Sequence, residues 1–207
     1  MIDITRRNRR AFLITGIGAT TALSLFPGIA YARTGDPKIL IEDFHNELFP
    51  LLSVSAGPLS ASALSDTVNH SFHMRLIARV VAGDAWKSMD AATKQRLTDA
   101  ILSMNVATYM HQLGDVRLTG HGIDGVRDGE QKTKLVDATL TSVKGEMPLT
   151  YVTREISGRW WIIDVLIERK YSELSLRQAE YQGVIRQSGI DGLIATLETK
   201  AAQLAPN

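Results

Sequence analysis

The sequence predicts an α+β domain, and three observations carry that reading. Apolar residues recur at helical spacing across the first half of the chain, up to about Leu113. From Val116 to Glu168 the period shortens to two, with β-branched and aromatic residues enriched. Helical spacing returns after Ser172. Helices, then an antiparallel sheet, then helices again is the α+β order, and its natural packing lays the early helices across one face of a curved sheet.

The first helix opens at Asp36-Pro37, where Asp is a cap and Pro sits where its missing N–H costs nothing. Leu40, Ile41, Phe44 and Leu48 form its apolar stripe, and Pro50 is expected to stop it. Ser53 to Ser65, rich in small residues and containing Gly57-Pro58, reads as a loop. A second helix covers His73 to Ala82 and ends at Gly83. A third is capped by Asp90 and runs to Leu113, before Gly114. Leu97, Ile101, Met104, Thr108 and Tyr109 mark one of its faces, which Leu102, Val106 and Met110 widen beyond a single packing seam.

Four strands follow, over Val116–Ile123, Lys134–Val143, Leu149–Ile156 and Arg159–Glu168. Ser157-Gly158 suits a tight hairpin, and Asp124 to Gly129 carries a turn signature. Strict alternation in the last strand puts Trp161, Ile163, Val165 and Ile167 on one wholly apolar face. Ser172 caps a helix that Gly189 closes, and Asp191 opens a final helix to about Gln203.

Residues 1–32 read as a cleavable signal peptide. Arg6, Arg7, Arg9 and Arg10 precede a short apolar run, and Ala30-Tyr31-Ala32 is an A-x-A site with Arg33 as the new N-terminus. Arg9-Arg10-Ala11-Phe12-Leu13 matches the core of the twin-arginine export motif. Residues 33–207 are then a single domain of 175 residues. Removing four of the 23 basic and one of the 22 acidic residues leaves 19 and 21, a net charge of −2. Nothing in that balance suggests nucleic acid. The absence of cysteine excludes disulfides and thiolate chemistry, so the core alone must hold the domain.

The search for chemistry yields little. His70 and His73 are spaced to share a helical face, but His45, His111 and His121 are scattered and no further ligand sits at a metal-binding offset. No metal site and no catalytic residue is assigned. Asp164, between Ile163 and Val165, is the one carboxylate that could serve as a general base, with Tyr109 or Tyr151 as donor; pairing with a backbone donor or with Arg159 is the favoured alternative. Trp86, Trp160 and Trp161 read as core anchors.

Several segments together resemble a known family. They are Val80-Val81-Ala82-Gly83-Asp84-Ala85-Trp86, Thr108-Tyr109, the stretch Leu149 to Val165 with Tyr151, Trp161 and Asp164-Val165, and Gly189-Ile190-Asp191-Gly192-Leu193-Ile194 with Leu197. In this order they resemble the periplasmic lipid carriers of the MlaC type, also called toluene-tolerance proteins, which belong to an ABC-transporter system for outer-membrane lipids. After the last strand the family tends to show Glu-Gly-Val-Ser. Here Glu168-Arg169-Lys170-Tyr171-Ser172-Glu173-Leu174 is closer to a branch linked with hopanoid biosynthesis.

The resemblance implies a nuclear-transport-factor-2-like cone and a periplasmic, monomeric carrier. A phospholipid or hopanoid-type lipid would be its cargo rather than a cofactor. The partners it implies are an inner-membrane ABC transporter complex and an outer-membrane lipoprotein complex. Combined with the wide stripe and the apolar strand face, it nominates Leu76, Val80, Trp86, Ile101, Tyr109, Tyr151, Trp161, Ile163 and Val165 as the lining of a lipid cavity. A rival reading is an enzyme on the same cone with Asp164 as base; another is an interaction module with a filled core.

Overall fold

A computed structural model describes residues 35–53, 59–113 and 116–204. The leader with its Ala32-Arg33 cleavage site, Gly57-Pro58 and Gly114 lie outside the described residues.

The helices begin where local chemistry supplies an acceptor for their first free N–H groups. In α1 (Pro37–Leu52) the Asp36 carboxylate accepts from the Lys38 N–H at 2.8 Å. In α3 (Met74–Ala82) His73 Nδ1 accepts from the Leu76 N–H at 3.1 Å. In α4 (Ala91–Leu113) the Asp90 carboxylate accepts from the Thr93 N–H at 2.6 Å. Pro50 does not stop α1, which runs on to Leu52 with the proline on its exposed side. Helix α2 (Ala61–Ser71) begins inside the small-residue stretch expected to be a loop, started by the Ser60 hydroxyl and buried through Leu64, Thr67 and Val68. A 3₁₀ turn (Gly83–Lys87) joins α3 to α4. The last helix, α5 (Glu173–Leu204), is kinked at Gly189, whose φ of 70° and ψ of −172° suit only glycine.

Five strands, not four, occur among the described residues: β1 (Leu118–Asp128), β2 (Thr133–Ser142), β3 (Gly145–Ile156), β4 (Arg159–Ile167) and β5 (Tyr171–Ser172), antiparallel in that order. Asp124 to Asp128 is strand rather than turn, with a register shift between Ile123 and Gly125. The reversal comes later, at Gln131-Lys132, where both residues have positive φ. Ser157-Gly158 and Glu168-Arg169 reverse the chain in the same way, as the right-handed twist of a hairpin favours.

The most consequential departure is a bulge in β4. Val152 pairs with Asp164 but Thr153 pairs with Ile162, so Ile163 is an extra residue. The strand therefore changes face. Val165 and Ile167 point inward opposite Tyr151 and Leu149; beyond the bulge the inward residues are Ile162 and Trp160. Trp161 falls on the outer face opposite Arg154, and the single apolar row read from strict alternation does not form.

Helix α1 lies against β1 to β4, while α3, α4 and α5 pack on one another beside it. The core runs between these layers, through Ile41, Leu97, Ile101, Val136, Ile162, Leu193 and Leu197, all essentially inaccessible to solvent. At Ile162 the open edge of β4 is covered by the chain between α2 and α3: the His73 N–H donates to the Ile162 carbonyl at 2.9 Å.

Candidate functional site

The layers part at one end of the sheet and leave a cavity of about 530 Å³. This lies within the range of about 300–1,000 Å³ typical of ligand sites. Phe44 and Leu48 of α1, Leu64 and Val68 of α2, and Phe72 form one wall. Leu140, Met147, Leu149, Tyr151, Val165 and Ile167 of the sheet form the other. The first turns of α5 and the tip of α4 close the side with Glu173, Leu176, Arg177 and Tyr109. Glu146, Pro148 and Glu168 border it and are solvent-exposed, as are Ile167 and Leu176, which marks the mouth.

Three of the nine nominated residues, Tyr109, Tyr151 and Val165, border this cavity. The other six stand elsewhere. Ile101 is buried in the core on α4. Leu76 and Val80 are half-buried on α3, and the Val80 carbonyl accepts from the Gln178 side chain of α5. Trp86 lies between the guanidinium of Arg75 and the ammonium of Lys94, each within 6 Å of its ring. Trp161 stacks under Arg159, 4.0 Å from the ring centre, with His73 edge-on beside it. Ile163 is the bulge residue. Phe44, Leu48, Leu64, Val68 and Phe72 escape the sequence reading as cavity residues; α1 shows Phe44 and Leu48 only as part of a packing stripe, and α2 is too poor in apolar residues to show a face.

Two phenols in the wall are pinned from behind. The Tyr151 hydroxyl lies 2.9 Å from His45 Nε2. Burial and the nearby His121 ring hold His45 down at a pKa of about 4, so it is neutral at physiological pH. Burial alone raises the Tyr151 phenol above its ordinary range. The Tyr109 hydroxyl donates to Glu173 Oε2 at 3.0 Å. Burial raises the Glu173 carboxyl, against the lowering effects of the Tyr109 hydrogen bond and the Arg177 charge. Arg177 reaches Glu173 at 3.8 Å and Glu180 at 3.6 Å, both longer than a hydrogen bond.

Asp164 is not in this wall. It stands opposite Val152 on the outer face, and both its oxygens are engaged at the start of α5. Oδ2 accepts from the Ser172 hydroxyl at 2.6 Å, and Oδ1 accepts from the Leu174 N–H at 3.0 Å. A base in the cavity would need the opposite face; of the two roles weighed for Asp164 the structure shows the favoured one, pairing with a backbone donor, here the Leu174 N–H rather than Arg159. Among the described residues, no three histidine or carboxylate side chains converge as a metal site would require. No described helix is long and apolar enough to cross a membrane.

No curated protein sequence matches the chain. Among solved structures, the fold is similar to that of the phospholipid-binding protein from Ralstonia solanacearum, determined in complex with a phospholipid. The TM-score is 0.71 at 16% sequence identity, over 83% of this chain and 99% of that one. The family model described as MlaC protein matches residues 60–199, which is 140 of the 207 residues and includes α2 to α4, the whole sheet and most of α5. With that span matched in sequence and the α+β architecture in place, the chain belongs to the MlaC family.

Proposed function

We propose that this protein is a lipid carrier of the periplasm, taking acyl chains into the cavity and passing lipid between an outer-membrane lipoprotein complex and an inner-membrane ABC transporter. The observation that carries the reading is the cavity itself: a largely apolar chamber of about 530 Å³ with its mouth at one end of the sheet. The fold likeness to a protein solved with a phospholipid supports it, as does family membership. The leader read at residues 1–32 would deliver the domain to that compartment by the twin-arginine route.

The energetics suit carriage rather than catalysis. A diacyl lipid leaves water with a gain of about 0.8 kcal/mol per methylene. A bilayer offers the same shelter, so transfer between membrane and carrier is nearly neutral and its direction is set by partners. A carrier needs no catalytic group, and the two phenols in the wall are tied to His45 and Glu173 rather than arranged around a nucleophile. The departure at Glu168 to Leu174 makes a hopanoid-type cargo the second reading.

Mass spectrometry of an organic extract of the purified protein tests both. A stoichiometric diacyl phospholipid is expected, and a polycyclic lipid would favour the second reading. Absence of any lipid, together with no uptake from phospholipid vesicles, would refute the carrier.

A further inference from the structure

Arg177 is placed unusually for an arginine in a cavity wall. Its side chain is only 25% exposed, yet its nearest carboxylate oxygens stand at 3.6 and 3.8 Å, too far for hydrogen bonds. Glu180 faces Arg177 through Oε2 and shares its charge with Lys200, which donates to Oε1 at 3.1 Å. Glu173 is the counter-charge of Arg177 on the cavity lining. Oε2 of Glu173 accepts from Tyr109, while Oε1 faces the guanidinium across 3.8 Å. The N–H groups at the start of α5 offer no competing anion site, because Asp164 and Ser172 already accept from Leu174 and Ser175.

We propose that Arg177 is the subsite for the phosphodiester of a bound lipid, and that Glu173 takes up one proton as the phosphate arrives. This rests on the carrier reading and deepens it. A guanidinium with no carboxylate within hydrogen-bond distance, whose other polar neighbour is the neutral Tyr181 hydroxyl, stands beside an apolar chamber and matches an oxyanion attached to acyl chains. A proton on Glu173 then restores the local charge balance. The formal charges of Arg177, Lys200, Glu173 and Glu180 sum to zero in the empty site. A phosphodiester brings one negative charge, and the partly buried Arg177–Glu173 pair holds an uncompensated charge poorly.

Glu173 is the group that yields. Burial already favours its neutral form, and Asp164 of β4 adds to that push. Arg177 opposes it, and a phosphate on Arg177 cancels that opposition. The other titratable groups around it are Tyr109 of α4 and Tyr181 of α5, both held protonated by burial. Glu146 and Glu168, also on the cavity lining, are solvent-exposed.

The test compares two soluble lipids with the same chains, dioctanoylphosphatidylglycerol and dioctanoylglycerol, binding to the delipidated mature protein. Calorimetry in two buffers of different ionisation enthalpy counts the protons. The phospholipid is expected to bind at least about tenfold more tightly, a difference of about 1.4 kcal/mol. It should do so with uptake of close to one proton at neutral pH, while dioctanoylglycerol takes up none. Arg177→Met should collapse the ratio of the two affinities towards one, and Arg177→Lys should restore part of it. Glu173→Gln should abolish proton uptake and tighten phospholipid binding at neutral pH. Thermal unfolding of each variant controls for loss of fold.

A ratio unaffected by Arg177→Met overturns the subsite, and wild-type binding without proton uptake overturns the role of Glu173. If dioctanoylglycerol binds and the phospholipid gains nothing over it, the carrier reading survives and this one fails. If neither lipid binds, both fall.

Discussion

His45 Nε2 and the Tyr151 hydroxyl meet at 2.9 Å across 106 residues of sequence, tying α1 to the centre of the sheet behind the cavity wall. His45 is almost wholly inaccessible, and its Nδ1 finds no partner among the described residues. Protonation would therefore add an N–H with nowhere to donate, beside the His121 ring. The folded-state pKa is depressed from 6.5 to about 4, so between those values the unfolded chain binds the extra proton. Stability present above pH 6.5 should be lost as the pH falls to about 4, by roughly 3 kcal/mol. Urea unfolding at pH 7, 5.5 and 4.5 would show this slope, and His45→Leu should flatten it.

The cavity makes a plug experiment specific. Val68 is buried in its wall, so Val68→Trp should fill space the lipid needs and cut uptake from phospholipid vesicles by about tenfold or more. Because the ring enters an existing void, it should cost less than the 1–3 kcal/mol, roughly, of overpacking a filled core. Val80→Trp, on half-buried α3 outside the wall, should leave uptake unchanged. Equal loss in both variants would contradict this placement of the cavity.

Asp164 is expected to matter for folding rather than for chemistry. Asp164→Ala removes the acceptor for the Leu174 N–H and the Ser172 hydroxyl, freeing the start of α5. Chemical denaturation should show a loss of about 1–3 kcal/mol. Asp164→Asn, which keeps one acceptor oxygen, should lose less.

Gly189 separates packing from binding. Its φ of 70° and ψ of −172° lie where a Cβ is strained, although nothing stands within 4 Å of where that Cβ would be. Gly189→Ala should cost about 1–3 kcal/mol through backbone strain alone. The kink is remote from the lining residues of α5, so the lipid content of the purified variant should match the wild type.

Local chemistry was the legible part of this fold. Asp36, His73 and Asp90 lie at helix starts because each offers an acceptor that the sequence displays. Gly189 is visible for a different local reason: with no Cβ it supplies the positive φ at which a helix breaks. Helix α2 is not, because Ser, Ala, Asp and Asn dominate it and its burial is granted by neighbours rather than by its own apolar face. The site suffered most from the bulge at Ile163. Alternation counts residues, and an inserted isoleucine between Ile162 and Asp164 leaves no mark in composition, yet it turns Trp161 out of the interior. Val165 lies on the cavity side of the bulge and Trp161 lies beyond it.

The cavity wall also carries a cost in time. It draws on Phe44 near the start of the domain and on Arg177 near its end, with the sheet's contribution between them. During synthesis α1 would emerge with its apolar stripe uncovered until the last strands and the first turns of α5 follow. Such distant pairings close slowly and leave sticky surface exposed meanwhile. A chain of this design gains from a holding chaperone, or from a lipid that occupies the half-built wall and is later exchanged.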